Sequence, residues 1–333
     1  MGELSEKREI HPAFRPARDY LFALVPLLAM GSYLYGWRVP ILAGISLATA
    51  FVCDILTALA TSRRYEASDL SSYMYALIFT VMLPATASYQ MVALGTAVTV
   101  LLGKQAFGGY GGYPFHPSAF GYAFTAVCFQ DSIFKYPKPF SQIGLGITAG
   151  EVTLYGGVSS TLRLGGVPEV DAAELLIGNY QSPIGTAFCA IILACGALLI
   201  ARGTVSLRIS LSYLLTCAAF AYALPRISAT PLMSLTYEML SGAVIFAAVF
   251  IVAVPSLSPK HPWAKVFYGI AMGCAVTMFR RLGYFEMGVC FATLLVNPLT
   301  QWFDRVFAPG EKKSKKKKNK TPLDEGAKGG ESA

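Results

Sequence analysis

Charged residues are scarce in this chain, and their scarcity decides its broad class. Asp, Glu, Lys and Arg make up 14% of the 333 residues, whereas 54% are hydrophobic and the mean hydropathy is +0.52. A soluble domain needs a largely polar surface, and roughly a quarter of its residues are charged. The composition therefore excludes an ordinary soluble protein and indicates a polytopic membrane protein.

Metal-binding and catalytic motifs are missing as well. No two of the seven cysteines have the CxxC spacing of a zinc or iron–sulfur site, and almost all lie in apolar runs, so we interpret them as small buried hydrophobic residues. His116 and His261 lack a second ligand at helical spacing. The glycines after Lys104 do not follow the GxxxxGK[ST] pattern of a phosphate-binding loop. The sequence thus predicts no metal site and no complete active site of its own.

The net charge of +8 is concentrated in "EKKSKKKKNK", at 311–320. A basic tail beside the last membrane helix binds the anionic cytoplasmic leaflet, so we expect membrane lipid and no nucleic acid as its partner. The opening "MGELSEKREIHPAFRPARDY" lacks the short apolar core of a cleaved secretory signal. We therefore expect the chain to insert through its first helix.

Long apolar runs dominate the rest of the chain. Runs near the 17–25 residues that a bilayer requires occur at 20–36, 39–60, 70–87, 89–104, 116–130, 184–201, 208–224, 238–256, 264–279 and 285–303. Several are short and contain glycine or proline, which is typical of broken or re-entrant helices packed inside protein. The predicted fold class is an all-α polytopic membrane protein with about ten transmembrane helices.

Lysine and arginine in short loops predict the orientation. Most of them fall on one side of a ten-span topology, which places both termini in the cytoplasm; Arg226, Arg280 and Arg281 are exceptions. The predicted organisation is a cytoplasmic N-terminal segment (1–19), a first membrane half (20–130), a long extracytoplasmic loop (131–183), a second membrane half (184–305) and a disordered basic cytoplasmic tail (306–333). A connection as long as 131–183 is uncommon without a function.

Each half contains five predicted spans, so related halves would be inverted. "FGGYGGYPFHPSAFGYAF" (107–124) and "FRRLGYFEMGVCFATLLVNP" (279–298) close the two halves with a similar pattern. Inverted five-helix repeats often place a site between the halves near the midplane. Two short matches also arise by chance, so the repeat is one of two interpretations.

Asp54, within "FVCDILTALA", is an ionisable residue in an apolar span. Such residues are costly in lipid, which makes Asp54 a candidate for an ion or proton path. The alternative is a structural carboxylate near the helix end, paired with Lys104 or Arg63. The sequence favours neither.

The long loop carries three adjacent hydroxyls in "YGGVSSTLRLGG" (155–166): Ser159, Ser160 and Thr161. The glycines around them predict a flexible, accessible segment. An ordinary polar turn is the simpler interpretation of the same residues.

Several segments resemble one membrane-protein family. "GKQAFGGYGGYPFHPSAFGYAF" (103–124) is similar to the glycine-rich turn and Phe-Asn-Pro-Ala helix of the D subunit of the Rnf electron-transport complex and of the B subunit of the sodium-translocating NADH:quinone reductase. "LLIGNYQSPIGTAF" (175–188), "MLSGAVIFAAVFIVAVPSLSPKHPWAKVFYGIAMG" (239–273) and "RRLGYFEMGVCFATLLVNP" (280–298) resemble later family segments in the same order. The resemblance covers most of residues 10–305.

The resemblance implies a membrane subunit of an Rnf-type ferredoxin:NAD⁺ oxidoreductase in a bacterial cytoplasmic (inner) membrane, coupled to Na⁺ or H⁺ translocation. In this family a flavin transferase joins FMN through its phosphate to a threonine of the outer loop. By this resemblance Thr161 is the favoured covalent FMN site, Ser160 and Ser159 are alternatives, and Arg163 neutralises the phosphate. A second, non-covalent flavin and the other Rnf complex subunits are the remaining expected partners.

This sequence departs from the family pattern near the expected flavin. The Gly-Ala pair before the acceptor is missing, the following proline is Leu162, and the Phe-Asn-Pro-Ala turn reads Phe-His-Pro-Ser at 115–118. Two other functions therefore stay open. One is a flavin-free scaffold subunit of the same complex, and the other is a stand-alone inverted-repeat transporter or channel.

Overall fold

The computed structural model describes residues 12–62, 68–146, 152–226, 230–241, 243–282 and 287–307. The side chain of Arg163 is outside this description. Of the described residues, 68% are in helices. The predicted N-terminal segment lies largely outside the described residues, and so does the predicted basic tail from residue 308 onward.

The helices of the first half are mostly long and apolar. They are α1 (Phe14–Tyr35), α2 (Arg38–Ala60), α3 (Ser71–Val81), α4 (Tyr89–Ala97, extended by π-helical Val98–Leu102) and α5 (Pro117–Cys128). A 3₁₀ turn, Gln105–Phe107, begins the glycine-rich connection to α5. Gly108, Gly109 and Gly111 have positive φ there, which only glycine adopts without strain.

The connection from 131 to 183 contains secondary structure of its own. Its elements are α6 (Gln130–Ile133), β1 (Lys135–Pro137), β2 (Leu154–Gly156), α7 (Val158–Arg163) and α8 (Ala172–Ile177). The two strands pair antiparallel, with Tyr136 opposite Tyr155. The prediction of a flexible segment is therefore partly wrong, because its three hydroxyls lie on the short helix α7.

The second half again consists of helices of unequal length. They are α9 (Cys189–Ala201), α10 (Leu207–Ala223), α11 (Pro231–Leu240), α12 (Val244–Phe250), α13 (Pro262–Leu282), α14 (Gly288–Val296) and α15 (Thr300–Phe307). A 3₁₀ turn, Asn297–Leu299, joins the last two. Helices α10 and α13 pack closely along their length, and Gly273 lies against Thr216 there.

Two short helices, α3 and α12, lie at the centre of the molecule. Almost every residue of both is buried, and the chain unwinds after each of them ahead of a proline, Pro84 or Pro255. Proline cannot donate the hydrogen bond that would continue a helix, so each helix ends within the protein. The predicted broken helices are found here, and the runs 70–87 and 238–256 are wrong as continuous spans.

The end of α3 is closed by a segment from the second half. Ile184 N donates to Leu83 O at 3.0 Å and Gly185 N donates to Val81 O at 2.9 Å, so carbonyls freed by the break are paired. A Cβ at Gly185 would lie 2.8 Å from Val81 Cβ, so the close approach requires glycine. This extended segment corrects the predicted span 184–201, whose helix begins only at Cys189.

Hydrogen bonds between distant connections define the two ends of the helix layer. At one end, which we call the long-loop end, Phe140 N bonds Leu34 O, and the same connection contacts α13 through Ser159. At the opposite end Arg202 bonds Asp19 of α1 and Lys104 bonds Asp69. Successive helices thus run in alternating directions between these two ends, and for α1 to α4 this is the alternation that the sequence predicts.

Length and hydropathy identify one described helix, Arg38–Ala60, that is long and apolar enough to cross a bilayer. The bent pair Pro231–Leu240 and Val244–Phe250 would be a second if taken as one broken span. The count of about ten spans stays a prediction.

Candidate functional site

The helix α7, which carries the three predicted hydroxyls, is anchored by apolar residues. Val158 and Leu162 are buried in a small cluster with Leu175, Tyr180 and Tyr237. Tyr237 Oη donates to Val170 O at 3.0 Å, which ties the long connection to α11. The hydroxyl-bearing helix is therefore fixed on the second half of the chain.

The three hydroxyls have different surroundings. Ser159 is 8% exposed and faces the protein. The exposed Ser160 donates its hydroxyl to Gly157 O at 2.6 Å. Thr161 is half-buried, and its hydroxyl makes no hydrogen bond to any part of the chain that the structure describes. Of the three residues, Thr161 is the one that is accessible from outside and whose hydroxyl makes no hydrogen bond within the described residues.

Four charged side chains meet behind α7, and we call them the arginine cluster: Arg226, Glu238, Arg280 and Arg281. Glu238 Oε1 lies 3.4 Å from Arg226 Nε and 3.4 Å from Arg281 Nη2. Arg281 also donates to the carbonyls of Phe220 and Leu224 at the end of α10. These ion pairs and end carbonyls explain why three arginines lie at the long-loop end, against the pattern of the other cations.

Arg280 connects this cluster to α7. Its Nη1 donates to Glu238 O at 3.0 Å, and its Nη2 donates to Ser159 Oγ at 3.2 Å and Ser241 O at 3.3 Å. The family resemblance implied Arg163 as the cation beside the hydroxyls, and the side chain of Arg163 is outside the described residues. The structure brings a different arginine, 121 positions away from Ser159, to this place.

A second arginine, Arg38, attaches the long connection to the first half. It is fully buried at the start of α2 and donates to Ala85 O at 3.1 Å and Ala87 O at 2.9 Å, in the unwound segment after α3. The same guanidinium donates to Gly144 O at 2.6 Å and Gly146 O at 2.8 Å. One side chain thus joins the long connection to the broken helix.

Asp54 belongs to a buried polar network at the opposite end. Its Oδ1 accepts from Ser72 Oγ at 2.8 Å and from Gln105 Nε2 at 2.6 Å. Lys104, which is 1% exposed, pairs with Asp69 Oδ2 at 2.7 Å and donates to Ser72 Oγ at 2.6 Å. The predicted ion pair between Asp54 and Lys104 is therefore wrong, because Ser72 separates the two; Arg63 is outside the described residues.

The network also sets the charge of Asp69, which lies in the connection before α3. Burial raises the pKa of its carboxyl, but the Lys104 ammonium and the hydrogen bonds from Lys104 and Ser71 lower it by more, so the pKa is below the ordinary 3.8. Asp69 is thus ionised at neutral pH. Burial, and after it the charge of Asp69, raises the pKa of Tyr110 in the glycine-rich connection.

His116 lies between the two halves. It is buried, and its ring meets Tyr75 edge-on at 5.2 Å. The Tyr75 and Tyr113 hydroxyls are 2.5 Å apart, and both contact Ser256 beyond the break after α12. Within the described residues no three His, Cys, Asp or Glu side chains are grouped as metal ligands would be.

Comparison with known proteins gives the family. The model of the NQR2, RnfD, RnfE family matches residues 11–313. The D subunit of the ion-translocating oxidoreductase complex of Cronobacter sakazakii is 30% identical over 318 residues, covering 85% of this chain and 91% of that protein.

Two further relatives carry the same name. Those of Pectobacterium carotovorum and Actinobacillus succinogenes are each 26% identical, over 331 and 344 residues, and the alignments cover 88% and 93% of this chain. They cover 93% and 97% of the respective relatives. The family match and the long alignments agree with the resemblance inferred from the sequence. The chain belongs to the NQR2, RnfD, RnfE family of membrane proteins.

Proposed function

We propose that this chain is the membrane-embedded D subunit of an Rnf-type ferredoxin:NAD⁺ oxidoreductase complex. The support is the family match over residues 11–313 and relatives that are named as the D subunit of an ion-translocating oxidoreductase complex. The other subunits of that complex are its partners, and the bacterial inner membrane is its location, with both termini in the cytoplasm. In this orientation the long-loop end faces outward.

The proposed redox site is an FMN joined through its phosphate to Thr161. When bound, FMN accepts and releases electrons one at a time, which suits a relay between other carriers. The residues around α7 fit its phosphate, because Arg280 lies 3.2 Å from Ser159 Oγ and its Nε, a buried donor, has no acceptor among the described residues. Thr161 supplies the hydroxyl that a transferase reaches from outside.

Arg280 and the apolar anchor of α7 have separate tasks in this proposal. Arg280 holds positive charge beside the modified helix, which favours the binding of an anionic group there. Val158 and Leu162 fix the helix on α11, so a group attached to α7 keeps one position relative to its redox neighbours. A fixed position matters because electron transfer requires a constant, short separation between carriers.

The observation that carries this proposal is the half-buried Thr161 on a helix that Arg280 contacts. It is tested with the complex from three strains that bear Thr161→Ala, Ser160→Ala or Ser159→Ala. Flavin fluorescence of the denatured subunit in a gel is expected to disappear only in Thr161→Ala. Fluorescence lost only in one of the serine variants moves the site to that serine, and no fluorescence in any strain, including the wild type, leaves the flavin-free scaffold.

We propose two inverted halves for the membrane part. In each half a short central helix, α3 or α12, ends before a proline, and a segment from near the start of the other half lies beside the break. At α3 this segment is residues 184 and 185. At α12 it is residues 14–16, which line a surface cavity together with Pro255.

The network around Asp54 lies at the cytoplasmic end of the first half in the proposed orientation, and we propose it as the start of the Na⁺ or H⁺ path.

The Asp54 proposal has its own test. Asp54→Asn removes the charge but keeps the oxygen that accepts from Ser72 and Gln105, so the complex should assemble and oxidise ferredoxin while ion uptake by membrane vesicles falls. The exposed Asp131→Asn at the other end is the matched control. Equal ion uptake in Asp54→Asn and wild type would assign Asp54 a structural role.

A further inference from the structure

A surface cavity of about 730 Å³ lies at the end of the molecule opposite the long-loop end. It is formed by the start of α1, the connection from α9 to α10 and the break after α12, and we call it the basic cavity. Its described lining contains the guanidinium groups of Arg15, Arg18 and Arg202 and a single carboxylate, that of Asp19. Three cations with one anion leave an excess of two positive charges in this lining.

Asp19 determines how the basic cavity is built. It is 7% exposed, its Oδ1 accepts from Arg202 Nη1 at 2.6 Å, and its Oδ2 accepts from Thr204 Oγ1 at 2.9 Å. Arg18 Nη2 lies 3.7 Å from the same carboxylate, and the Arg18 guanidinium lies over the Phe14 ring, 5.8 Å from its centroid. Asp19 thus attaches the connection from α9 to α10 to α1 and holds two arginines beside each other.

The three arginines keep donors available for a ligand. The side chains of Arg18 and Arg202 are each 46% exposed although both contact Asp19. Arg15 is exposed, and its side chain makes no hydrogen bond or ion pair to any residue that the structure describes. A guanidinium presents five N–H donors in a planar fork that matches the oxygens of a phosphate. The basic cavity therefore suits a phosphate group in both charge and donors.

Exposed apolar side chains continue from the basic cavity along two helices. On α1, Phe22 and Val25 follow Arg18 on the same helical face, four and seven residues further on. On α9, Leu198 precedes Arg202 by four residues. Four residues of helix span about 6 Å, so these side chains lie about one turn deeper in the membrane than the guanidinium groups. Cations at the aqueous end with apolar surface beneath them fit an amphipathic ligand better than a soluble anion.

We propose that the basic cavity binds the headgroup of an anionic phospholipid from the cytoplasmic leaflet, with the acyl chains against the exposed apolar faces of α1 and α9. Basic pockets between membrane helices on this side suit such headgroups, because the leaflet is rich in anionic lipid. Arg15 and Arg18 bind the phosphate, and Asp19 positions Arg202 beside them. The bound lipid connects the start of α1 with the break after α12. This site is independent of the redox group proposed above.

The experiment compares phosphatidylglycerol, whose headgroup is anionic, with phosphatidylcholine, whose headgroup has no net charge. The protein carries a photo-reactive phenylalanine analogue at position 14, in the lining of the basic cavity. It is purified in mild detergent with the subunits that accompany it, incubated with an equal mixture of the two lipids bearing the same acyl chains, and illuminated. Mass spectrometry then counts the lipid adducts on this chain.

We expect adducts of phosphatidylglycerol to exceed those of phosphatidylcholine at least about 10-fold, because each arginine contributes about five-fold to the attraction of an anionic lipid. Arg15→Gln and Arg18→Gln should each lower this ratio about five-fold. Arg15 has no described side-chain partner, so its replacement should leave the fold intact. Arg208→Gln, which changes an exposed arginine at the start of α10 that does not line the cavity, is the matched control and should leave the ratio unchanged.

Equal adducts of the two lipids, or a wild-type ratio in both Arg15→Gln and Arg18→Gln, would overturn the lipid site. A ratio lowered as much by Arg208→Gln would also overturn it, because the preference would then belong to the whole basic surface. Inorganic phosphate at the lipid concentration should not reduce the adducts; if it does, the cavity binds a small anion instead. An adduct to another subunit in place of lipid would assign the cavity to a protein partner and refute the proposal.

Discussion

Replacing Lys104 by methionine should destabilise the protein strongly, because it leaves the largely buried carboxylate of Asp69 without its cation. The Lys104 side chain is 1% exposed and Asp69 is 16% exposed, at an N–O separation of 2.7 Å. Removing one partner of a buried ion pair costs about 3–5 kcal/mol. Since Asp69 keeps some contact with solvent, we expect the lower end, about 3 kcal/mol. Methionine keeps the length of the apolar stem, so packing loss contributes little.

The assay is unfolding of the purified protein in mixed detergent micelles with increasing denaturing detergent, followed by circular dichroism. Lys104→Met combined with Asp69→Asn should regain part of the loss, with a coupling of about 1–3 kcal/mol between the two sites. Lys135→Met, an exposed lysine at the start of β1, is the control and should change stability by less than about 0.5 kcal/mol. A Lys104→Met protein as stable as this control would refute the role assigned to the buried network.

Four further predictions concern separate parts of the molecule. Because the pKa of Asp69 is lowered in the folded state, its stabilising effect is complete above its unfolded pKa near 3.8 and is lost as the pH falls through the lower folded pKa; acid titrations of wild type and Asp69→Asn should therefore converge at low pH. Gly273→Ala places a methyl group 2.7 Å from Thr216 Cβ of α10 and should lower the free energy of unfolding by about 1–3 kcal/mol. Gly44→Ala, which has no atom within 4 Å, should raise it by up to about 1 kcal/mol. The same unfolding assay in detergent compares the two variants. Arg38→Gln should release the long connection, seen as faster hydrogen exchange at 144–146, and exchange as slow as in wild type would contradict the clamp. Leu164→Cys, 80% exposed, should react with an impermeant maleimide in intact spheroplasts, and reaction only after lysis would reverse the proposed orientation.

Hydrophobic runs predicted the long helices well. The run 39–60 corresponds to α2, Arg38–Ala60, because its one proline, Pro40, lies in the first turn, where a helix tolerates proline. The run 70–87 is equally apolar, but its helix ends at Val81. A run of buried apolar residues does not distinguish a helix from an unwound segment that another part of the chain covers, as Ile184 and Gly185 cover the end of α3.

The sequence drew attention to only part of the candidate site, because contacts between distant parts of the chain leave no local pattern. The three hydroxyls are neighbours in sequence, so composition alone drew attention to them. Arg280 is 121 positions from Ser159, and no local pattern connects them. The one signal in the sequence was that Arg226, Arg280 and Arg281 lie on the wrong side of the predicted topology, which indicates cations held by protein partners rather than by the cytoplasmic surface.

The buried network illustrates what residue types alone leave open. The sequence offered Lys104 or Arg63 as the partner of Asp54, because both are cations near the same helix end. In the folded chain Lys104 pairs with Asp69, and neutral groups of Ser72 and Gln105 bond Asp54. The choice depends on the packing of α2, α3 and the end of α4, which sequence spacing does not determine.

The most direct test of the account is peptide mass spectrometry of this protein, isolated from the native membrane complex and digested with trypsin. We expect the peptide that ends at Arg163 to carry one FMN phosphoester, fragmentation to place it on Thr161, and the other peptides to be unmodified. An unmodified peptide in a complex that is otherwise fully assembled would contradict the proposed redox site.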